Sequence, residues 1–314
     1  MAKRTDTPGR LDDAARAGWL YYVAGRTQDE IASTMGISRQ SAQRLVSLAV
    51  AEKLIKVRLD HPIAACLELG NQLRKKFDLR YVEVVPSDPG SSSTTIGIAE
   101  AAAAEIERWL KRPEPIVLAV GTGRTLKAAV DQLPLLECPD HRIVSLTGNI
   151  TPDGSAAYYN VIFSMADAVK ARHFPMPLPV LVTSSEEREM LHSQQLVRST
   201  LEISSQSDVT FVELGIDGPL CVDGFLEKDE MMELMRNGAV GEICGWIFDG
   251  DGKLLDNPIN ERVASAPIPP RESSTVIGIA KGKRKFKAIR AAIVGRQINA
   301  LITDEATAEF LLTG

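Results

Sequence analysis

The chain has 314 residues, 44% of them hydrophobic and 25% charged, with a formal net charge of −5. That composition is ordinary for a soluble globular protein with one small and one large domain, and no apolar run approaches the roughly 18 residues of a membrane span. The N-terminal MAKRTDTPGR lacks the apolar core of a secretory leader, and Cys66, Cys138, Cys221 and Cys244 follow no metal-ligand spacing, so a cytoplasmic protein with reduced thiols is expected.

Charge is unevenly spread. Met1 to Arg58 holds ten Lys/Arg against six Asp/Glu, a balance of +4, while the remainder stands at −9. A basic head on an acidic body suits a DNA-reading module joined to a domain that does not touch DNA. Residues 1–10 read as a disordered arm. Leu11 to Ala24 is predicted helical, with Leu11, Ala15, Gly18, Trp19 and Tyr22 as its packed face.

Thr27 to Leu48 then reads as two short helices and a tight turn. Thr27 and Glu30 form a capping box, Ile31, Ala32 and Met35 share one face, and Gly36 ends the first helix because the turn requires positive φ. Ser38 can cap the second helix, whose buried stripe is Ala42, Leu45, Val46 and Ala49. Arg39, Gln40, Gln43 and Arg44 are left on the opposite face. Arginine can pair with the O6/N7 edge of guanine and glutamine with the N6/N7 edge of adenine. The expectation is a helix-turn-helix with its second helix in the major groove and Gln28, Ser38, Arg39, Gln40, Gln43 and Arg44 as the DNA-binding set. A plain αα-hairpin with a solvated polar face is the alternative. Lys53 to Leu59 alternates enough for a short strand or wing, where Lys53, Lys56 and Arg58 either meet phosphates or are solvated.

His61-Pro62 marks a boundary, because the residue before proline is pushed out of the helical region. Domains are therefore placed at 1–60 and 61–314. Ile63 to Phe77 reads as a linking helix with the stripe Ile63, Leu67, Leu69 and Leu73, able to carry motion or to pair with another subunit. Strands are expected at 80–85, 115–120, 142–146, 179–183, 208–215, 276–279 and 300–303. Helices are expected at 96–110, 126–133, 161–171, 185–204 with a break, 227–237, 285–294 and 304–312. This rhythm predicts a mainly parallel sheet with helices on both faces and a ligand at the carboxyl ends of the strands, where strand order reverses. There is no internal repeat, and only Ser87 to Thr95 is low in complexity.

The loops at those strand ends carry small and polar residues. Gly121-Thr122-Gly123-Arg124-Thr125 leads straight into a helix. Its glycines admit a ligand close to the backbone, its amides favour an anion, and Thr122, Arg124 and Thr125 add hydroxyl and guanidinium contacts. It is neither GxGxxG nor a P-loop, and an ordinary tight βα turn has the same pattern. Leu146-Thr-Gly-Asn149 and Gly215-Ile-Asp217 close two further strands, and Lys285 lies near the first turn of the helix after VIGIA. The other basic residues of Lys281 to Lys287 read as a solvated face. Asp249-Gly-Asp-Gly-Lys253 lacks the ligand set of an EF-hand and reads as a hairpin turn. His61, His141, His173 and His192 lack metal-binding spacing, and no metal or cofactor is expected.

TQDEIASTMGISRQSAQRL in the head, with GTGRT, SLTGN, PLPVLVTS, GEICGWIFDGDG, IGIAKGKRKFKAI and ALITDEATAEFLL in the body, resembles the SorC/DeoR-type family of bacterial sugar-responsive transcriptional regulators over residues 11–312. The resemblance implies an N-terminal all-α, winged helix-turn-helix domain and a C-terminal Rossmann-like α/β effector domain related to sugar-phosphate isomerases and CoA transferases. It also implies a phosphorylated sugar or polyol that alters operator binding by dimers or tetramers. Carried over residue by residue, Gly121, Thr122, Gly123, Arg124, Thr125 and Lys285 look like the phosphate site, while Gly148, Asn149, Asp217 and Glu242 would face the sugar. Lys281 departs from the family, which often has a second glycine there.

The expected function is a regulator of a carbohydrate or polyol catabolic operon, with operator DNA, a sugar or polyol effector and further copies of itself as partners, and without catalytic residues. One alternative is a sugar-phosphate isomerase with an appended DNA-binding head, using Asp217 or Glu242 as base. Another is a scaffold dimer whose helix pair contacts protein and shows no salt-dependent DNA affinity.

Overall fold

The computed structural model describes residues 8–52, 54–55, 63–91, 93, 95–216 and 218–314, which fall into two units, Met1–His61 and Pro62–Gly314. The described part of the first unit is built on α1 (Pro8–Tyr22), α2 (Gln28–Met35) and α3 (Arg39–Ala51). Thr27 caps α2 through a full capping box: its hydroxyl accepts from the Glu30 amide, and its own amide donates to the Glu30 carboxylate at 2.8 Å. That amide donor is the main reason the Glu30 carboxyl is held below the usual range. The helix stops at Gly36, whose φ of 67° is the left-handed conformation that glycine adopts without a Cβ clash. Ser38 caps α3, accepting from the Ser41 amide at 3.1 Å.

Ala17, Ile31, Ala32, Ala42 and Val46 form the core of this unit, with Leu20, Met35, Ile37 and Leu45 partly buried around it. On α1 the buried residues are Ala14, Ala17 and Gly18, whereas Trp19 is 55% exposed and Tyr22 43%. The packed face therefore differs from the expected one. Small residues are selected there because α1 and α3 approach closely, and a Cβ on Gly18 would lie 2.8 Å from the Cβ of Ala49. α1 begins at Pro8, within the stretch expected as an arm; residues 1–7 and all of the expected wing but Leu54 and Ile55 lie outside the described residues.

The second unit runs α4 (Ala64–Phe77), β1 (Tyr81–Val85), α5 (Ile98–Leu110), β2 (Val117–Val120), α6 (Arg124–Val130), β3 (Arg142–Ile150), α7 (Val161–Ala168), β4 (Arg172–Pro179), α8 (Ser185–Ser193), α9 (Gln195–Ser205) and β5 (Val209–Glu213). It continues with α10 (Pro219–Val222), α11 (Lys228–Arg236), the hairpin strands β6 (Gly241–Ile243) and β7 (Trp246–Phe248), then β8 (Thr275–Ile279), α12 (Phe286–Val294), β9 (Ala300–Asp304) and α13 (Glu305–Thr313). Among the described residues seven strands pair in parallel in the order β1-β9-β8-β5-β2-β3-β4, and β6 and β7 form a separate antiparallel pair.

A parallel sheet covered on both faces needs strands that are apolar throughout, and β2 shows why: Val117 and Ala119 enter the core on one side, Leu118 and Val120 the core on the other. Strand order runs outward from β2 through β3 and β4 and from β5 through β8 and β9, with β1 added at that edge, and β2 and β5 pair from Leu118↔Val209 to Val120↔Phe211. Open α/β sheets bind ligands outside the carboxyl ends of the strands at such a reversal.

Two expectations shift. β4 spans Arg172–Pro179 rather than 179–183. As the edge strand it can carry Pro175, Pro177 and Pro179, because only one side of it must supply a ladder. α4 buries Cys66, Gly70 and Leu73, packing against β1 and α13, and leaves Leu67 56% exposed. Small side chains again set the phase, since a Cβ on Gly70 would already touch Val82 O at 3.4 Å.

Candidate functional site

On α3 the side chains of Arg39, Gln40, Gln43 and Arg44 are all exposed, while Ala42, Val46 and Ala49 hold the helix to its core. Gln28 at the start of α2 is half-buried, and the Ser38 hydroxyl is engaged in the α3 cap, 2.9 Å from Ser41 Oγ. Arg39 Nε lies 3.5 Å from Asp29 Oδ1 with both side chains mostly exposed, a pair worth no more than about 1 kcal/mol. The helix thus presents two guanidinium and two amide groups on one solvent-facing surface.

In the second unit, the loop after β2 passes through Gly123 at φ 140° and ψ 163° directly before α6. This backbone sets the start of α6 against Glu213, the last residue of β5. Thr125 N donates to Glu213 Oε2 at 2.8 Å, Thr125 Oγ1 donates to Oε1 at 3.1 Å, and Lys285 Nζ donates to Oε1 at 2.8 Å. A Cβ on Gly123 would fall 2.2 Å from Glu213 Oε2, so the glycine makes the room that the carboxylate uses. Lys285 comes from a short 3-10 turn, Lys283–Lys285, leading into α12, and its stem passes over Gly215, where a Cβ would meet Lys285 Cε at 2.9 Å. The side chains of Glu213 and Lys285 are 14% and 17% exposed. The pair is largely withdrawn from water, and each partner makes the other's burial tolerable.

The loop between β3 and α7 is tied across this turn. Thr122 Oγ1 donates to Tyr159 O at 2.7 Å, and Arg124 Nε donates to Tyr159 Oη at 3.0 Å. From its other side the loop is held by Asp223, whose Oδ1 accepts from the Tyr158 amide at 2.7 Å. Burial pushes the Asp223 carboxyl above the ordinary aspartate range, against the pull of that amide.

The other residues singled out by the sequence are placed differently. Gly148 lies in β3 beside its neighbour β4, where a Cβ would come within 2.0 Å of Leu178 O, so strand packing accounts for it. Asn149 lines a cleft of about 430 Å³ with Ile150, Ser155, Asn160 and Phe163. Glu242 on β6 is 2% exposed, and its carboxylate fills space left by Gly218, whose Cβ would stand 2.3 Å from Oε1. Asp217 lies outside the described residues. At Asp249 the carboxylate caps its own hairpin, Oδ1 accepting from the Asp251 and Lys253 amides at 2.9 Å each. Glu213 is the residue sequence reasoning passes over. Its signal is a single acid ending an otherwise apolar or small strand, VTFVE.

Residues 61–313 match the family model described as "Putative sugar-binding domain". Across nearly its whole length the chain also matches the erythritol catabolism regulatory protein EryD of Brucella abortus (strain 2308), with 32% identity over 302 residues, 95% of this chain and 96% of that one. The chain belongs to the SorC/DeoR-type family of sugar-binding transcriptional regulators. Another relative of this regulator, LsrR of Escherichia coli (strain K12), is 30% identical over 313 residues, 96% of this chain and 94% of its own. The full-length sorbitol operon regulator SorC from Klebsiella pneumoniae shares the fold with a TM-score of 0.68 at 25% identity, covering 97% of this chain and 99% of that one. The likeness therefore spans both units of the regulator. Among its described residues no helix is long and apolar enough to cross a membrane.

Chemically, the reversal point of this regulator offers an ion pair, backbone amides and hydroxyls in one place, a set suited to holding a hydroxyl-rich molecule. Lys281 is buried and donates to Ile96 O at 2.9 Å. It fastens the loop after β1 to the end of β8.

Proposed function

We propose that the regulator binds an operator through α3 and a sugar-type effector at the carboxyl edge of its parallel sheet, and so controls a carbohydrate or polyol catabolic operon. The observation that carries this reading is the meeting of Gly123 and Thr125, in the turn Gly121-Thr122-Gly123-Arg124-Thr125, with the Glu213–Lys285 pair at the strand-order reversal, in a chain whose head exposes Arg39, Gln40, Gln43 and Arg44 on one helix. Asn149, Asp217 and Glu242 belong to the proposed effector surroundings, and Gln28 and Ser38 to the operator surface. The names of EryD, for erythritol catabolism, and SorC, for a sorbitol operon, support a sugar or polyol as the effector class.

In this reading residues 1–60 form the operator-binding domain and 61–314 the effector-binding and oligomerisation domain. The protein binds its effector without converting it, works in the cytoplasm, and engages paired half-sites as a dimer or tetramer. The effector acts only so far as it prefers one conformation of the assembly, since equal affinity for both would shift nothing. Fluorescence anisotropy on DNA from upstream of the operon that carries its gene tests the whole reading. Salt-dependent binding that a sugar or polyol strengthens or weakens is the expected result. Binding that no such compound alters, or conversion of the compound to an isomer, would replace regulation by another function.

A further inference from the structure

We propose that Glu213 fills the anion slot of the effector crevice with the protein's own carboxylate, and that the regulator consequently takes an uncharged sugar or polyol and rejects its phosphate ester. The inference rests on the effector reading above and narrows its ligand class. Of the donors that a phosphate would seek at the start of α6, the Thr125 amide and hydroxyl both already serve Glu213, at 2.8 and 3.1 Å. The ammonium of Lys285 is likewise directed at Glu213, at 2.8 Å. Of the other cations in these loops, Arg124 Nε donates to Tyr159 Oη and Lys281 to Ile96 O. A phosphate bound here would stand beside a carboxylate that is only 14% exposed, and in such partly desolvated surroundings like charges repel strongly.

The same geometry favours hydroxyls. An ionised carboxylate offers about four acceptor sites and an ammonium three donors. Among the described residues Glu213 uses one site on Oε2 and two on Oε1, and Lys285 uses one donor, which leaves an acceptor on Oε2 and two donors on Nζ. A vicinal diol can donate to the first and accept from the second. Gly123 is the enabling residue, because any Cβ there would collide with Glu213 Oε2 at 2.2 Å.

The test is thermal unfolding of the full chain with erythritol, xylitol and sorbitol, their terminal monophosphates, and inorganic phosphate, on the parent, Glu213→Gln and Lys285→Gln. The parent is expected to be stabilised by an alditol and not by the matching phosphate or by inorganic phosphate. Glu213→Gln should lose alditol affinity by about tenfold or more, the scale of a charge-assisted hydrogen bond, and gain a response to inorganic phosphate. Lys285→Gln should lose the alditol response and gain none to phosphate. A parent stabilised by a phosphate ester more than by its alditol, or by inorganic phosphate as strongly as Glu213→Gln, overturns the inference and leaves the sugar-effector reading standing. A parent and variants indifferent to every compound, phosphate included, overturn both.

Discussion

At Gly123 the absence of a side chain is what lets the turn and the Glu213 carboxylate occupy their present positions. Gly123→Ala would combine a φ of 140° with a Cβ 2.2 Å from Glu213 Oε2, so the carboxylate must leave or the loop must move. The expected cost is about 1–3 kcal/mol of stability, read as a lower denaturant midpoint, together with loss of the effector response. A midpoint equal to the parent's would mean that the turn relaxes without strain. Asp223 supports a prediction about pH. Its carboxyl is raised in the folded protein by burial. A raised group contributes stability that is fully present below its unfolded value, about 4, and is lost as pH rises through the folded value. Asp223→Asn keeps an acceptor for the Tyr158 amide and removes that loss. The variant should therefore melt at or above the parent's temperature near neutral pH and give up any advantage at about pH 4.

Among the elements, α3 makes the sharpest prediction. Arg44→Ala removes an exposed guanidinium from the proposed reading face without touching the core, and should weaken operator binding by about 1–3 kcal/mol while leaving the melting temperature unchanged. Asp29→Asn should act in the opposite direction. It frees Arg39 from a partner 3.5 Å away and removes a negative charge beside the DNA face, raising affinity by up to about fivefold at low salt. Anisotropy titrations of both variants on one duplex decide the matter; equal affinities would take Arg39 and Arg44 out of the reading set.

These elements also show what a sequence reveals. The capping box at Thr27, the turn at Gly36 and the cap at Ser38 involve residues a few positions apart, so local chemistry announces them. The faces of α1 and α4 do not follow the large apolar side chains, because close helix packing selects Ala14, Ala17 and Gly18 in one and Cys66 and Gly70 in the other, and small residues give little periodic signal. Lys285 and the GTGRT turn are visible as types of residue at strand ends. Glu213 is not, because its meeting with Thr125 joins positions 88 residues apart and depends on β2 and β5 being neighbours.

For the whole molecule, charge and linkage set the terms. The +4 balance of the first 58 residues lies on the unit that carries α3, so operator affinity should fall steeply with salt, with a slope that reports the phosphates contacted. Effector affinity should hardly move with salt if the ligand is uncharged, because no counterions are released on binding a polyol. Control of the operator by the effector then obeys reciprocity: whatever factor the effector applies to operator affinity, saturating operator must apply to effector affinity. Two titrations measure it, one of labelled operator at rising effector and one of effector by calorimetry with and without saturating duplex. The two factors are expected to agree within error at fixed protein concentration. If they differ, a further linked step such as a change in subunit number enters the cycle, and the disagreement should then vary with protein concentration.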